Sequence, residues 1–280
     1  MPELAEVETV RLDIIKRLKG RKITELVTDA EDRYLFKFAP IGEVNRALRG
    51  RKILGAARKG KYFWLELDKK PWPIFHLGMS GNIAILDPRR KSKSHVYSWG
   101  AEKSERLWFC RLLVKFSGGA ELGFTDPRRF GRMWLSDDPK TYPRIKALGY
   151  DPLIQFPEAK ELAIIFKKRK TSIKTVLLDQ KLFAGIGNWL ADEILFQSKI
   201  APQRMSAGLS DEEIKVLHRQ VLAVVKKAVA VKADEKRFPR SWLFHHRWGK
   251  GKNATTSRGQ KIIFDEVGGR TSAWVPGWQK

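Results

Sequence analysis

The start of the chain has the hydrophobic spacing of an amphipathic helix. Apolar side chains recur every three or four residues, at Leu4, Val7, Val10, Ile14 and Leu18. This period places them along one face of a helix, and Gly20 stands where helices commonly end. The pattern therefore predicts an N-terminal helix that buries one face and ends at Gly20.

After this helix the pattern changes to the alternation that is typical of β-strands. Short β-like runs come first, and four clearer segments follow them. Residues 61–67 alternate, residues 73–86 divide into two pieces at Gly78 and Gly81, residues 111–124 turn back at Ser-Gly-Gly, and residues 126–135 continue from a Pro-Arg-Arg turn. These segments indicate a mainly antiparallel β-domain.

The second half of the chain has the helical period. A proline-rich stretch, 138–157, precedes it and is predicted as a linker. Helices are predicted over Glu158–Lys168, Ser172–Lys181, Asn188–Ser198 and Ser210–Lys232. The last one opens with a capping box, Ser210 and Glu213. Two β-like runs, at 261–264 and 271–275, flank Gly268-Gly269 and predict a terminal hairpin. The predicted fold class is α+β.

Composition adds a strong positive charge. Lys and Arg number 55 against 31 Asp and Glu, a formal net charge of +24. This excess indicates a polyanionic partner, and its spread along the chain favours a folded basic face. A membrane surface is the less favoured candidate for this partner. No apolar run reaches the roughly 18 residues that a membrane span needs, and no secretory signal is recognised at the start of the chain. The single cysteine, Cys110, excludes an internal disulfide and a Cys-based zinc finger and suits a reducing, intracellular compartment.

The Pro2-Glu3 pair carries candidate chemistry. Removal of Met1, which is usual before a small residue, leaves the Pro2 nitrogen as a free secondary amine beside a carboxylate. An α-amine has a pKa roughly 2 to 3 units below that of Lys, so part of it is unprotonated near neutral pH and can attack a sugar C1′. The iminium that forms is cationic and favours β-elimination, while Glu3 can move protons. The structural alternative is ordinary helix-start chemistry, in which Pro and acidic residues are common.

Turns in the β-rich part offer candidate DNA contacts. Lys61 follows a glycine at the start of a strand, either as a cation beside a reacting nucleotide or as a solvated turn residue. Met79, Arg128 and Phe130 lie on two other turns. Apolar wedges with an arginine suit the space left when a base is pushed out of the stack.

The helical part and the terminal hairpin offer further candidates. Small residues before Asn188 allow a phosphate to approach a helix N-terminus, although Asn188 also suits plain helix capping. Arg270 follows the Gly-Gly turn as a candidate phosphate or groove contact. No ligand spacing is present among the histidines, which are His76, His95, His218, His245 and His246.

Taken together, these residues resemble the formamidopyrimidine-DNA glycosylase and endonuclease VIII family. The matching segments run nearly end to end: PELAEVE, RKGKYFWLEL, HLGMSG, TDPRRFG, LLDQKLFAGIGNWLADEILF and GGRTSAWVPGWQ. The resemblance implies an N-terminal helix with an antiparallel β-sandwich (1–137), a helix–two-turns–helix DNA-binding domain (158–232) and a hairpin finger (233–280). It also implies a bifunctional glycosylase and AP lyase of base excision repair, which removes oxidised bases from damaged double-stranded DNA.

The resemblance assigns roles by position. Pro2 is implied as the nucleophile and Glu3 as its acid/base partner, with Glu6 supporting the site and Lys61 binding near the lesion phosphate. The residues implied to contact DNA are the void-filling Met79, Arg128 and Phe130, of which Arg128 faces the orphaned base, the phosphate contacts Asn188 and Arg270, and the DNA-contacting lysine Lys174.

Two departures from the family pattern change the expectation. Most bacterial members close the finger on zinc with two CxxC pairs, but here Val275 and Trp278 occupy the final pair and the earlier pair is missing. This resembles the zincless fingers of the family, so neither zinc nor another cofactor is expected, and Trp274, Val275 and Trp278 are expected to hold the hairpin.

The second departure is a short segment: only about a dozen residues lie between the end of the last predicted helix and Trp242. Members that favour 8-oxoguanine carry a longer loop there, so weak activity on 8-oxoguanine and stronger activity on hydantoins and formamidopyrimidines are expected.

Two other classes stay open. A catalytically silent protein that recognises damaged or bent DNA would use the same wedge and basic groove, but the intact Pro2, Glu3 and Lys61 argue against it. A ribosomal-type RNA-binding protein would share the helix–two-turns–helix but would not need the Pro2-Glu3 start. The favoured expectation is a monomeric, intracellular enzyme on DNA, in the cytoplasm or nucleoid of a bacterium or the nucleus of a eukaryote, with no membrane partner.

Overall fold

A computed structural model of the chain describes residues 1–28, 32–89, 109–248 and 253–280. These residues form two compact units, 1–147 and 148–280. The division falls inside the stretch 138–157, which also contains a short helix, α3 (Pro143–Lys146). Each unit is built around its own helices and strands.

Unit 1 (residues 1–147) begins with the predicted amphipathic helix, α1 (Leu4–Leu18). Its start is a reciprocal capping box, in which the Glu3 N–H donates to Glu6 Oε2 at 3.0 Å. This arrangement satisfies backbone donors that the first helical turn leaves unpaired. The predicted apolar face is confirmed, because its side chains are buried: Leu4, Val7, Val10, Ile14 and Leu18.

The strands of unit 1 confirm the alternating segments. They are β1 (Ile23–Val27), β2 (Ile53–Lys59), β3 (Tyr62–Leu67), β4 (Trp72–His76), β5 (Asn82–Leu86), β6 (Cys110–Phe116), β7 (Glu121–Thr125) and β8 (Arg132–Ser136). One helix, α2 (Ile41–Leu48), has no counterpart in the predicted pattern. Its core-facing side chains, Ile41, Val44, Ala47 and Leu48, do have helical spacing, but the helix has only eight residues and lies among the short runs that the sequence pattern indicates as β-like.

The strands form two four-stranded antiparallel sheets, ordered β1-β6-β7-β5 and β2-β3-β4-β8. One hydrophobic core joins the inner faces of both sheets to α1. Within it, the Phe63 and Phe75 rings stack at 5.1 Å between centroids, and Phe124 follows at 6.2 Å from Phe75. The predicted combination of an N-terminal helix with antiparallel sheets is confirmed.

Unit 2 (residues 148–280) contains the predicted helices and the hairpin. They are α4 (Ala159–Lys167), α5 (Ile173–Leu178), α6 (Asn188–Ser198), α7 (Asp211–Ala230), β9 (Ile263–Val267) and β10 (Arg270–Trp274). The predicted capping box of α7 is confirmed, because the Glu213 N–H donates to Ser210 Oγ at 3.2 Å. Helix α5 ends earlier than predicted, since Asp179 leaves the helical conformation and its carboxylate accepts the Lys181 N–H at 2.9 Å.

Within the described ranges, no helix combines the length and the apolar character that crossing a lipid bilayer requires.

Candidate functional sites

Three turns of unit 1 lie at the same end of the sheet β2-β3-β4-β8. The antiparallel register places Tyr62 opposite His76, and His76 opposite Arg132. Lys61 immediately precedes Tyr62 in the β2–β3 turn, while the turns that carry the predicted wedge directly follow β4 and precede β8. The register therefore brings Lys61 to the same end of the sheet as the two wedge turns.

A single buried carboxylate joins the two wedge turns. Asp126 is 1% exposed, and its Oδ1 accepts the Ser80 hydroxyl at 2.5 Å and the Arg128 N–H at 3.2 Å. Its Oδ2 accepts the Gly131 N–H at 2.6 Å. Ser80 belongs to the turn of Met79, so Asp126 fixes Met79 relative to Arg128.

The wedge side chains themselves point into solvent. Met79 is 38% exposed and Phe130 is 44% exposed, and the Arg128 guanidinium lies over the Phe130 ring at 5.0 Å from its centroid. The turns touch through their backbones at Gly78, which has φ +65° and whose hypothetical Cβ would lie 2.5 Å from the Phe130 carbonyl carbon. Any other residue at Gly78 would force the two turns apart.

The N-terminus of α1 points toward this same end of the sheet. At the far end, the Gly20 N–H donates to the Ile53 carbonyl at the start of β2 at 2.7 Å. Nearer the N-terminus, the Glu8 carboxylate accepts Arg58 Nε at 2.9 Å, close to the end of β2. Helix α1 therefore runs antiparallel to β2, and the residues before Glu8 continue toward the β2–β3 turn.

The first residues of α1 combine a buried carboxylate with a second carboxylate of altered acidity. Glu3 is 1% exposed. Burial, followed by the charge of Glu3, raises the pKa of Glu6 to about 7. In the chain that begins with Met1, the Pro2 nitrogen is part of a peptide bond, so it becomes a nucleophilic amine only when Met1 is removed.

Sequence reasoning missed His76, Glu8 and Arg58. The Gly78 N–H donates to His76 Nδ1 at 3.1 Å, and burial, together with the nearby charge of Lys61, lowers the pKa of His76 to about 4. His76 is therefore a neutral acceptor that supports the turn of Met79. His76 is the first residue of the HLGMSG segment, and this position close to Met79 was the one sequence signal for its role. The pairing of Glu8 with Arg58 had no local signal, because the two residues are 50 positions apart. His95 lies outside the described residues.

In unit 2, two of the three remaining predicted residues, Asn188 and Lys174, bond one carbonyl at the start of β10. The Thr271 carbonyl accepts Asn188 Nδ2 at 2.9 Å and Lys174 Nζ at 3.0 Å. Arg270, the adjacent residue, is exposed. Asn188 does not cap α6, because Gly187 holds that position; its amide has two N–H donors, of which Thr271 takes one.

The prediction of Lys174 as a direct DNA contact is wrong. Its side chain is 0% exposed and its ammonium pairs with Asp192 at 2.6 Å. An ammonium group that is fully buried inside unit 2 cannot contact a DNA phosphate at the protein surface. The local sequence showed only a lysine on a basic chain, because its partner lies 18 residues further on.

Apolar packing around the hairpin matches the expectation for Val275 and Trp278. Val275 is 1% exposed and packs in a cluster with Phe196 and Leu243, which Trp278 also contacts. Trp274 is 9% exposed and its indole donates to Asp265 at 2.7 Å. Across the described part of the chain, no three His, Cys, Asp or Glu side chains are grouped as a metal ion would need. These residues do not fit a cysteine-liganded zinc.

Comparisons with known proteins cover most of the chain. A sequence model of the formamidopyrimidine-DNA glycosylase N-terminal domain matches residues 1–133, and one of the formamidopyrimidine-DNA glycosylase H2TH domain matches residues 148–239. The formamidopyrimidine-DNA glycosylase of Arabidopsis thaliana is 38% identical over 283 residues, which cover 100% of this chain and 71% of that protein. The protein of the same name from Listeria monocytogenes serotype 4b is 33% identical over 234 residues, with 82% and 79% covered.

Solved structures show the same similarity. The Lactococcus lactis formamidopyrimidine-DNA glycosylase, non-covalently bound to DNA that contains an AP site, matches with a TM-score of 0.79 at 27% identity, over 99% of both chains. MutM in complex with DNA that contains carbocyclic 8-oxo-G matches with a TM-score of 0.80 at 28% identity, over 100% of both chains.

Proposed function

The chain belongs to the formamidopyrimidine-DNA glycosylase family, and from that premise we propose that it is a bifunctional glycosylase and AP lyase of base excision repair. Membership supports a DNA repair glycosylase that acts on DNA. The observation that carries the finer proposal is the direction of α1, whose N-terminus leads to the end of the sheet that holds Lys61 and the wedge turns.

The reaction begins when the damaged nucleotide leaves the helix and the wedge takes its place. Met79 and Phe130 offer exposed apolar surface for the gap, and Arg128 offers donors to the orphaned base. Lys61 binds the phosphate near the lesion, and Asn188 and Arg270 bind further phosphates. The net charge of +24 supports strong, salt-dependent attraction to DNA.

The chemical step uses the amine of Pro2 after Met1 is removed. Its lone pair forms a bond to C1′ while the bond from C1′ to the damaged base breaks, and the base leaves with the electron pair and takes up a proton. The Pro2 nitrogen then gives up its proton, the bond from C1′ to O4′ breaks and O4′ takes up a proton, so the opened sugar is held as a cationic iminium; Glu3 carries these protons. Loss of the C2′ proton then expels the 3′ phosphate by β-elimination, and a second elimination expels the 5′ phosphate. Glu6, with its raised pKa, supports the site beside Glu3.

Three finer properties belong to the same proposal. The finger works without zinc, as two observations support: the one cysteine of the chain, Cys110, lies in β6 and not in the finger, and the finger has an apolar cluster. The short segment between α7 and Trp242 supports preference for hydantoins and formamidopyrimidines over 8-oxoguanine. We also propose that the enzyme acts as an intracellular monomer on damaged double-stranded DNA.

The proposal is tested with duplexes that carry a hydantoin, a formamidopyrimidine or 8-oxoguanine, by resolving the strand ends on a denaturing gel. We expect cleavage with phosphate on both ends of the gap, fast for the first two lesions and slow for 8-oxoguanine, and unchanged after EDTA treatment. Glu3→Gln should slow cleavage by about 100-fold or more. The matched control, Glu25→Gln, changes an exposed carboxylate of β1 that pairs with Lys115 at 3.0 Å, and it should cleave like the wild type.

Other outcomes separate the alternatives. Tight binding of lesion duplexes without cleavage would replace the enzyme with a silent damage-binding protein. Loss of cleavage in EDTA would remove the zincless finger from the proposal, and equal rates on 8-oxoguanine and hydantoins would remove the lesion preference.

A further inference from the structure

A buried carboxylate in unit 2 collects donors from three other segments. Asp192 lies in α6 and is 1% exposed. Its Oδ1 accepts Lys174 Nζ of α5 at 2.6 Å, and its Oδ2 accepts Arg247 Nη2 at 2.6 Å. Oδ2 also accepts the Ala273 N–H of β10 at 3.2 Å. We call Asp192, Lys174 and Arg247 the Asp192 hub.

Lys174 of the Asp192 hub also forms hydrogen bonds with two residues of β10. An ammonium has three donors, and those of Lys174 bond Asp192, the Ser272 hydroxyl at 2.6 Å and the Thr271 carbonyl at 3.0 Å. Together with the Ala273 N–H, the hub therefore holds three consecutive residues of β10. The residue immediately before them is Arg270.

Apolar packing holds the same hairpin in a different way. The cluster of Phe196, Leu243 and Val275 buries apolar surface, but such contacts are non-directional and tolerate sliding. Charge-assisted hydrogen bonds require a narrow range of distance and angle. Apolar packing therefore keeps the hairpin against the helices of unit 2, whereas the Asp192 hub sets the position of β10 along α5 and α6.

We propose that Asp192 is a positioning residue for DNA binding, which fixes Arg270 and Asn188 in their phosphate-binding places through the Asp192 hub. Asn188 shares the Thr271 carbonyl with Lys174, so a shift of β10 displaces both groups at once. A finger without cysteine ligands has no metal coordination to fix its orientation, and the directional hydrogen bonds of the Asp192 hub serve this purpose. The inference rests on the proposed function only in treating Asn188 and Arg270 as phosphate contacts.

Asp192→Asn tests this directly, because it keeps the side-chain shape and replaces one charged acceptor with a donor. The dissociation constant is measured on a duplex that carries a tetrahydrofuran abasic analogue, at several salt concentrations, and excision is measured in single turnover at saturating enzyme. We expect a dissociation constant about tenfold higher, with the slope of log K against log salt reduced by about 1 to 2. The saturated rate should stay within about threefold, since binding and chemistry separate in this way when only positioning on DNA is lost.

The matched control is Glu213→Gln. It removes an ion pair of the same unit, with Arg204 at 2.8 Å, and keeps the capping-box acceptor of α7. It should bind like the wild type. A dissociation constant of Asp192→Asn within about twofold of this control would overturn the proposal.

Two further variants separate positioning from mere stability. In Lys174→Met/Asp192→Leu/Arg247→Met the buried charges are replaced by apolar groups, which often preserves folding. Positioning predicts weak binding by the folded triple variant, whereas wild-type binding by it would overturn the proposal. If Asp192→Asn does not fold, Ser272→Ala decides: a dissociation constant about threefold or more above wild type supports the hub, and no change contradicts it. Wild-type protein that does not bind damaged DNA would instead refute the proposed function.

Discussion

At the scale of single residues, Glu6 meets two demands at once. It accepts the Glu3 N–H at 3.0 Å as part of the capping box of α1, and it stands beside a second, buried carboxylate. Burial disfavours the ionised form of Glu6, and the neighbouring Glu3 carboxylate adds to this effect, so the pKa of Glu6 is raised to about 7. The candidate nucleophile Pro2 therefore precedes a helix whose first turn carries a carboxyl group, Glu6, that can hold a proton near neutral pH.

Glu6→Gln tests the raised pKa. In the folded chain Glu6 keeps its proton from its ordinary pKa of 4.5 up to about 7, whereas the unfolded chain loses it, so the wild type loses stability as the pH rises through this interval. Glutamine keeps the capping acceptor and does not ionise. The variant should equal the wild type near pH 4.5 and exceed it at pH 8 by on the order of 1–3 kcal/mol in free energy of unfolding.

Denaturant titrations at a series of pH values measure this difference. Glu43→Gln serves as the control, because it removes an exposed carboxylate from the first turn of α2. If the advantage of Glu6→Gln were the same at every pH, the raised pKa would be wrong.

At the scale of elements, the two wedge turns behave as one unit. The strands β4 and β8 are neighbours in one sheet and β5 and β7 are neighbours in the other, so the connections β4–β5 and β7–β8 run side by side. Asp126 bonds both connections, to Ser80 and to Gly131. The sheet topology brings the wedge together, and one carboxylate holds it.

Asp126→Asn should therefore disturb the wedge more than the sheets. The substitution replaces one carboxylate oxygen of residue 126 with an amide NH2 group, which then faces another donor, a buried N–H or hydroxyl. We expect this to lower the free energy of unfolding by about 1–3 kcal/mol. We expect excision at saturating enzyme to fall roughly 10- to 100-fold, because Met79 and Arg128 are displaced from the gap. Single-turnover rates and thermal unfolding measure the two effects. Asp138→Asn is the control, since Asp138 also accepts a turn N–H, from Lys140 at 2.9 Å, on an exposed loop; excision at the wild-type rate by folded Asp126→Asn would contradict the coupling.

The elements that the sequence predicted are those with a visible period. The apolar stripe of α1 reflects one buried face. The alternation in 61–67 reflects the face of Phe63, Leu65 and Leu67 in the main core, although Trp64 on the opposite face is buried as well, in a second cluster. Helix α2 was missed although Ile41, Val44 and Leu48 have helical spacing, because it is only eight residues long. Lys174 was misassigned for another reason: its neighbours Asp192 and Arg247 come from distant segments, so only the tertiary structure shows that its charge is satisfied internally.

At the scale of the whole molecule, the candidate residues separate into two groups, one in each unit. Unit 1 holds the N-terminus of α1, Lys61 and the wedge turns, and unit 2 holds Asn188 and Arg270. The family models match both units, over residues 1–133 and 148–239. Chemistry and lesion contact are thus proposed for unit 1, and additional phosphate binding for unit 2, with the excess of positive charge spread over the whole chain.

Reductive trapping tests whether Pro2 forms a covalent iminium with the damaged nucleotide. Borohydride reduces an iminium to a stable amine, so the wild-type protein is incubated with borohydride and a hydantoin-containing duplex, and the adduct is mapped by mass spectrometry. We expect one adduct, on the N-terminal peptide that begins at Pro2 and lacks Met1. Protein that lacks Met1 and binds the duplex tightly without forming an adduct would show that Pro2 is not the nucleophile, and so would an adduct on Lys61 instead.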